Sequence, residues 1–470
     1  MAKPASCTTS SPPNAIEPPG AGSSKLLDLP PELKRQIAEE IICKDDLRNL
    51  RLTSVHLEAV AAEQLYDNLE LRPQTNNLQR WSFIIQHKRL RHIPREISIC
   101  VHASECLVFR PALFKSLCEG LTSLPNITSL EINYFYNRCS HRPEPYELSA
   151  VRHEGERDYH ERTLHSIFHA LMQRQGNAEY QRIRTLAISS LDSVPFPSLT
   201  GSASFRDVIK DVDDLVLGFQ QQTDFDYGSE EGSEQLRTFP HHLCTYWLKP
   251  IAHQLKSLVL CGTPQVWGPF PGSEYFDLSG VSFPKLEALS IERFLLAHND
   301  ALDWVIAQKT LREIFIADCY IVTRILISTD DMVRWEPKTH DWVRLPQAEQ
   351  ISDEHAFEYE GKWSDVFSKL ADGLPNLEAF VYYELQPDQI YTEFPQRYMI
   401  YDNRNGSDPW IVADKDGDLT YLVDGPDLPN FHQERKAEDQ KSLYRLLEQC
   451  RAKRDDAVAQ GINASRNQTI

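Results

Sequence analysis

Residues able to react are plentiful in this chain, but their spacing does not gather them into a reaction centre. Asp414-Lys415-Asp416-Gly417-Asp418 has the alternating carboxylates of a calcium loop. An EF-hand needs Gly at its sixth position and Glu at its twelfth, where this chain has Leu419 and Gly425, so the stretch reads as a turn. His153-Glu154 and His160-Glu161 stand seven residues apart in a charged segment, not at the spacing that aims two imidazoles at one zinc ion, and read as a solvated loop. His241-His242 read as surface residues at a helix start. No Gly-x-Ser-x-Gly, phosphate-binding loop or dinucleotide fingerprint is present. A hydrolase built from dispersed acids would need two of them to converge in a concave pocket. The expectation is therefore no catalytic residue, no metal ligand and no cofactor: a protein that binds.

Composition narrows what it binds. A net charge of −19 over 470 residues argues against nonspecific nucleic-acid binding, which needs a basic footprint. The same charge repels anionic membranes and mildly favours basic partners. With 41% apolar and 25% charged residues the chain reads as soluble and globular, and no apolar run approaches the roughly 20 residues of a membrane span. The first 24 residues are rich in Pro, Ser, Gly and Ala, have no apolar secretory core, and are expected to be a disordered tail. Ten Cys with no Cys-x-x-Cys pair are neither a disulfide framework nor a zinc ribbon. Most should be reduced and buried, which points to cytoplasm, nucleus or both.

The elements that would carry binding begin at residues 25–71. Three short helices can be drawn there. The first opens after Asp28, with Pro30 and Pro31 where a missing N–H does no harm, and carries Leu33, Ile37 and Ile41 on one stripe. Asp45 or Asp46 can cap a very short second helix with Leu47 and Leu50, and Thr53 or Ser54 a third from Val55. A segment below about 50 residues buries too little surface to fold alone, and it has more apolar residues than its own core can use. The surplus marks a docking surface for another protein.

Leu29-Pro30-x-Glu32-Leu33, then Ile37, then Asp46-Leu47-x-x-Leu50-Arg51-Leu52-Thr53-Ser54 resembles the F-box in the form common in fungal proteins. The resemblance covers about a tenth of the chain; where many F-boxes have Trp in the third helix, this chain has Leu57. It implies binding to the small Skp-type adaptor of a cullin–RING ubiquitin ligase, through Leu29, Pro30, Leu33, Ile37, Leu47, Leu50 and Val55.

Residues 72–395 repeat a unit, Leu-x-x-Leu-x-Leu, at Ile127–Ile132, Ile183–Ile188, Leu255–Leu260, Leu286–Ile291, Leu311–Ile316 and Leu377–Tyr382, with weaker copies at Ile93–Ile99 and Asp214–Leu217. This is the strand signature of a leucine-rich repeat, in which the first Leu and the next two point inward and the residues between them outward. Amphipathic helices precede several copies: 111–121, 162–173, 242–253, 301–308 and 363–371. Gly120 and Gly373, each followed closely by Leu-Pro-Asn or its equivalent, read as helix C-caps. Copies lie about 25 to 65 residues apart, wider than the usual 20–29, so loops must be inserted. An ordinary α/β sheet with parallel strands fits the alternation as well. Expected insertions are 137–159, 192–207, 223–234 and an aromatic-rich 322–360. Residues 396–459 read as a small antiparallel meander with a polar helix, and 460–470 as a frayed tail.

The fold expected is α/β: a short helical F-box module followed by an irregular leucine-rich-repeat-like α/β solenoid. The function that resemblance implies is that of a substrate receptor, the module holding the adaptor and through it a cullin, the solenoid holding an unknown target protein. Outward strand positions for the target are Glu131, Asn133, Ser290, Glu292, Phe315 and Tyr383. The rival reading is a leucine-rich scaffold for protein partners with no ubiquitin role.

Overall fold

The three apolar periods near the amino end become three helices. In the computed structural model the residues described are 26–72, 75–102, 111–135, 146–220, 230–262, 276, 278–346, 354–383, 398–402, 410–412 and 431–467. The chain divides into two compact units, Met1–Asn68 and Leu69–Ile470. The first unit holds α1 (Pro31–Glu39), α2 (Lys44–Thr53) and α3 (Val55–Asp67). Ser54 caps α3, its hydroxyl accepting from the His56 amide at 3.2 Å. The other two caps differ from expectation. Pro30 and Cys43 occupy the N-cap positions with no side-chain bond, while Asp45 and Asp46 sit in the first turn of α2, where carboxylates favour the positive helix end. A core of Ala38, Leu47, Val60 and Leu65, flanked by Ile41, Leu50 and Tyr66, joins all three helices.

In the second unit the recurring strand signature becomes an open, mostly parallel nine-stranded sheet. Its strands are β1 (Asn68–Leu71), β2 (Glu96–His102), β3 (Ser129–Phe135), β4 (Thr185–Asp192), β5 (Asp214–Gln220), β6 (Ser257–Gly262), β7 (Ala288–Glu292), β9 (Glu313–Ala317) and β13 (Ala379–Tyr383), lying side by side in chain order. From β2 to β13 every pairing is parallel. Register aligns Ile97, Leu130, Leu186, Leu215, Leu258, Leu289, Ile314 and Phe380 in one row, and Ile99, Ile132, Ile188, Leu217, Leu260, Ile291 and Ile316 in another. These rows are buried, as are the leading residues Ile127, Ile183, Val212, Leu255, Leu286, Leu311 and Leu377.

A second, polar device repeats at the start of each strand. The carbonyls of Arg95, Thr128, Arg184, Asp213, Lys256, Glu287 and Arg312 each accept two consecutive amides from the next turn of the chain, at 2.7–3.2 Å. The two Leu-Pro-Asn-type junctions do the same work with side chains: Asn126 Nδ2 donates to the His92 carbonyl at 2.5 Å and Asn376 Nδ2 to that of Lys309 at 2.8 Å. Buried Arg174 extends the pattern, donating to the carbonyls of Leu124, Pro125, Ile127 and Gln181 at 2.5–2.9 Å.

Helices cover the apolar rows. They include α4 (Thr75–Gln86), α5 (Pro111–Leu121), α6 (Tyr146–Gln175), α7 (Pro197–Thr200), α8 (Ala203–Ile209), α9 (Glu230–His242), α10 (Asp303–Ile306) and α12 (Trp363–Gly373), while α11 (Thr329–Trp335) packs on β10 (Tyr320–Ser328) and α9. The expected helix at 242–253 is instead the end of α9 followed by a π turn, Leu243–Leu248, and that at 301–308 is a single turn. Gly120 and Gly373 are not left-handed caps. Each lies within its helix, and an added Cβ would come 2.3 Å from Trp81 Nε1 or 2.4 Å from Ile306 Cγ2. Absence of a side chain lets neighbouring helices approach.

The described residues within 322–360 form strands and a helix rather than one irregular loop. Arg293 and Asp318, both in the left-handed region and 3.6 Å apart as an ion pair, turn the chain out of β7 and β9 into β8 (Leu295–Leu296) and β10 (Tyr320–Ser328). These join β11 (Val343–Arg344), β12 (Glu354–Glu358), β14 (Tyr398–Asp402) and β15 (Trp410–Val412) in a second, mixed sheet. β14 thus runs parallel to β10 rather than in a meander of its own. The final helix, α13 (Phe431–Asn467), continues through much of the stretch expected to fray. Residues 1–24, the Asp414–Asp418 turn and the part of the expected meander at 413–430 lie outside the described residues.

Candidate functional site

On α1, Leu33 and Ile37 are one turn apart and face solvent, 44% and 39% exposed, while Ile41, one turn on, packs against the core. Ile42 follows α1 at 96% exposure, Leu52 in α2 is at 84%, and Val55 at the start of α3 is at 87%. Large apolar side chains this exposed are few among the described residues. Five fall within residues 33–55, and five more (Phe83, Tyr246, Val333, Val343 and Tyr444) are spread over the rest. Apolar surface concentrated in so short a stretch marks a place where something binds.

The seven residues that the motif nominated therefore divide. Leu33, Ile37 and Val55 are exposed; Pro30 is exposed, and Leu29 and Leu50 are half-buried. Leu47 is a core residue, 4% exposed between Ala38, Val60 and Leu65, and can reach no partner without unfolding the module. Ile42 and Leu52 are surface residues the spacing argument passed over. Leu52 stands within the motif but was not nominated, Ile42 stands between its two halves, and a helical wheel of α2 sets Leu52 away from Leu47.

Polar contacts hold the ridge in shape. Arg51 donates to the Tyr66 hydroxyl at 2.8 Å, pairs with Glu58 at 3.4 Å and lies 5.6 Å over the Tyr66 ring, joining α2 to α3. Arg35 and Glu63, 3.1 Å apart, join α1 to α3. Lys34 Nζ donates to the Leu27 carbonyl at 2.7 Å and fixes the segment that carries Leu29 and Pro30.

The second candidate surface is the outer face of the large sheet. Register puts Ser98, Glu131, Ala187, Val216, Val259, Ser290, Phe315 and Val381 in one continuous row opposite the buried ones. Glu131 is exposed; Asn133, Glu292 and Phe315 are half-buried. Asn133 Nδ2 donates to Ser98 Oγ at 3.2 Å. Ser290 is buried and donates to Glu292 Oε1 at 3.0 Å, so it orients its neighbour rather than meeting a partner. Tyr383 closes β13 opposite Ala317, its side chain outside the described residues.

His160 and His242 are interior, contrary to expectation, whereas His241 is exposed as expected. His160 is buried on α6, its Nδ1 3.0 Å from Asp192 Oδ2 and its ring 4.2 Å from that of Tyr134. His242 is buried with Nε2 3.3 Å from Thr200 Oγ1, and burial pushes its pKa down to about 4. Each is held by a polar partner inside a packed layer, which serves structure rather than turnover. No helix among the described residues is long and apolar enough to cross a membrane. No known family model matches this chain, and no curated protein matches it.

Proposed function

We propose that this chain is the substrate-recognition subunit of a cullin–RING ubiquitin ligase. Residues 25–71 act as an F-box-like module that docks a Skp-type adaptor, and the repeated α/β portion acts as an irregular leucine-rich-repeat-like solenoid that holds a target protein. The observation that carries the reading is the exposure of Leu33, Ile37, Ile42, Leu52 and Val55 on the stretch bearing the Leu-Pro and Leu-Arg-x-Thr-Ser motifs. Fully burying a large aliphatic side chain gains about 1.5–3 kcal/mol. Five such residues supply on the order of 5–12 kcal/mol gross once the half-covered pair is discounted, before the association cost of at least about 4 kcal/mol. At the top of that range the surplus, about 8 kcal/mol, corresponds to a micromolar contact, and no reactive group is needed. Catalysis is then positional: the receptor raises the local concentration of target beside a ubiquitin-loaded enzyme.

The experiment is co-purification of the folded full chain with a Skp-type adaptor at micromolar protein. Adaptor binding is expected in the native chain and lost in the Leu33→Lys, Val55→Lys double variant, whose substitutions fall on exposed sites. Glu131→Arg with Phe315→Asp should leave adaptor binding intact and remove the target. A folded native chain that retains no adaptor would overturn the ligase reading and favour a scaffold without a ubiquitin role.

A further inference from the structure

Outside both surfaces, three metal-ligating side chains meet where β8 ends and β11 is about to begin, with a fourth beside them. His298 Nδ1 lies 2.6 Å from Asp341 Oδ1, and His340 Nε2 lies 3.9 Å from the same oxygen. One ligand atom from each of these three residues falls within 4.8 Å of the others. Asp300 Oδ2 adds a fourth donor, 3.8 Å from His340 Nε2. The supporting contacts are of the kind that orient ligands around a cation. The second oxygen of Asp341 is held by the Asn299 amide at 2.8 Å. The buried His298 ring is stacked on Trp342 at 5.2 Å and 5°, and the Trp342 indole is itself fixed by the Ala297 carbonyl at 2.6 Å.

We propose that His298, His340 and Asp341, with Asp300 completing the set, bind a divalent cation of the zinc class. Two imidazoles and two carboxylates are the mixed nitrogen–oxygen set that such ions accept, whereas calcium and magnesium want oxygen alone. As ligands the two carboxylates supply the negative charge that a divalent ion neutralises. Zinc–nitrogen and zinc–oxygen bonds of about 2.0–2.2 Å require the donors to draw in. His340 is the one that turns. Its ring stacks flat on that of His298 at 4.8 Å and 9°, so the two in-plane lone pairs do not yet converge. Half of its surface is in water, and a turn about its side-chain torsions brings Nε2 round toward Asp341. His298 Nδ1 and Asp341 Oδ1, hydrogen-bonded at 2.6 Å, would open to the roughly 3.3 Å that two ligands of one tetrahedral ion keep. The ion would fasten residues 298–300 to residues 340–341 and so staple the second sheet across a 40-residue excursion, 300 to 340.

The test is calorimetric titration of zinc into the metal-free full chain at neutral pH, with cobalt as a coloured substitute. One zinc per chain is expected at micromolar affinity or tighter. The visible bands of a tetrahedral cobalt site should appear without a thiolate charge-transfer band, which separates this site from the chain's ten Cys. His340→Ala, at a half-exposed position, and Asp341→Asn, which keeps an acceptor for Asn299, should each weaken binding at least about tenfold with the circular dichroism unchanged. Absence of saturable binding, a thiolate band, or an affinity unaltered in either variant would overturn the proposal.

Discussion

Arg174 offers the sharpest perturbation of the repeated architecture. It ends α6 as one of the largest fully buried side chains, and its guanidinium spends four hydrogen bonds on four backbone carbonyls. Bonds from a charged donor are each worth about 1.5–3 kcal/mol net, so four supply about 6–12 kcal/mol. Against this stands the desolvation of the cation, the main reason its pKa falls from 12.5 to about 10. A depression of that size corresponds to about 3 kcal/mol. Arg174→Met is therefore expected to destabilise by about 3–9 kcal/mol, since it leaves four carbonyls without their donor in a closed interior. The assay is urea unfolding followed by tryptophan fluorescence, with hydrogen exchange read by peptide. Exchange should rise by about a hundredfold at Gln181, Arg184 and Thr185, whose amides bond back to Pro125 and Thr128, and stay unchanged at Arg312 and Glu313. Arg174→Lys should recover about half of the loss, because one ammonium has three donors and no fork. A loss under about 1 kcal/mol, full rescue by Lys, or exchange that rises uniformly would refute this account of what closes the turn.

Three further outcomes follow from packing and burial. Gly373→Ala should cost about 1–3 kcal/mol in thermal or urea unfolding, because the new methyl meets Ile306, and Ile306→Ala should relieve most of it in the double variant. Asp439, fully buried on α13, accepts from the Ser364 amide at 2.8 Å and the Tyr398 hydroxyl at 2.7 Å, capping α12 from outside. Asp439→Ala should cost about 3 kcal/mol and hasten protease cleavage within 431–467, whereas Tyr398→Phe should do less. His242 has a folded pKa of about 4 against an unfolded value near 6.5, so the unfolded state binds the extra proton. Stability is then lost as pH falls from about 6.5 toward 4, by about 1–2 kcal/mol after allowance for solvent screening. Urea midpoints of His242→Gln should show a flatter profile over that window.

The parallel sheet was legible because its signal is local and repeated. A Leu three residues before an alternating pair can be read at Ile127, Ile183, Leu255, Leu286, Leu311 and Leu377 from the letters alone, and all six are buried. The third helix start was legible for the same reason, since Ser54 bonds within two residues of itself. What could not be read depends on partners far along the chain. Gly120 and Gly373 carry the same letter as a C-cap, and only the nearness of Trp81 and Ile306 shows that space, not backbone conformation, is what they supply. Tyr320–Ser328 and Tyr398–Asp402 are paired strands separated by β13, and neither alone indicates which sheet it joins. His298 and His340 were overlooked because 42 residues separate them, so no short motif contains both. Leu47 looked like a docking residue because period assigns a face and not the neighbour that covers it.

The paired amides at each strand start have an evolutionary and mechanical consequence. Successive links in that chain of carbonyls are as few as 25 residues apart, from 287 to 312, and as many as 66, from 312 to 378. What is conserved in space is therefore the footing of each strand, while the sequence strung between footings is free to lengthen. Closing a loop grows dearer only with the logarithm of its length. New surface can accordingly be grafted between any two footings without disturbing the others.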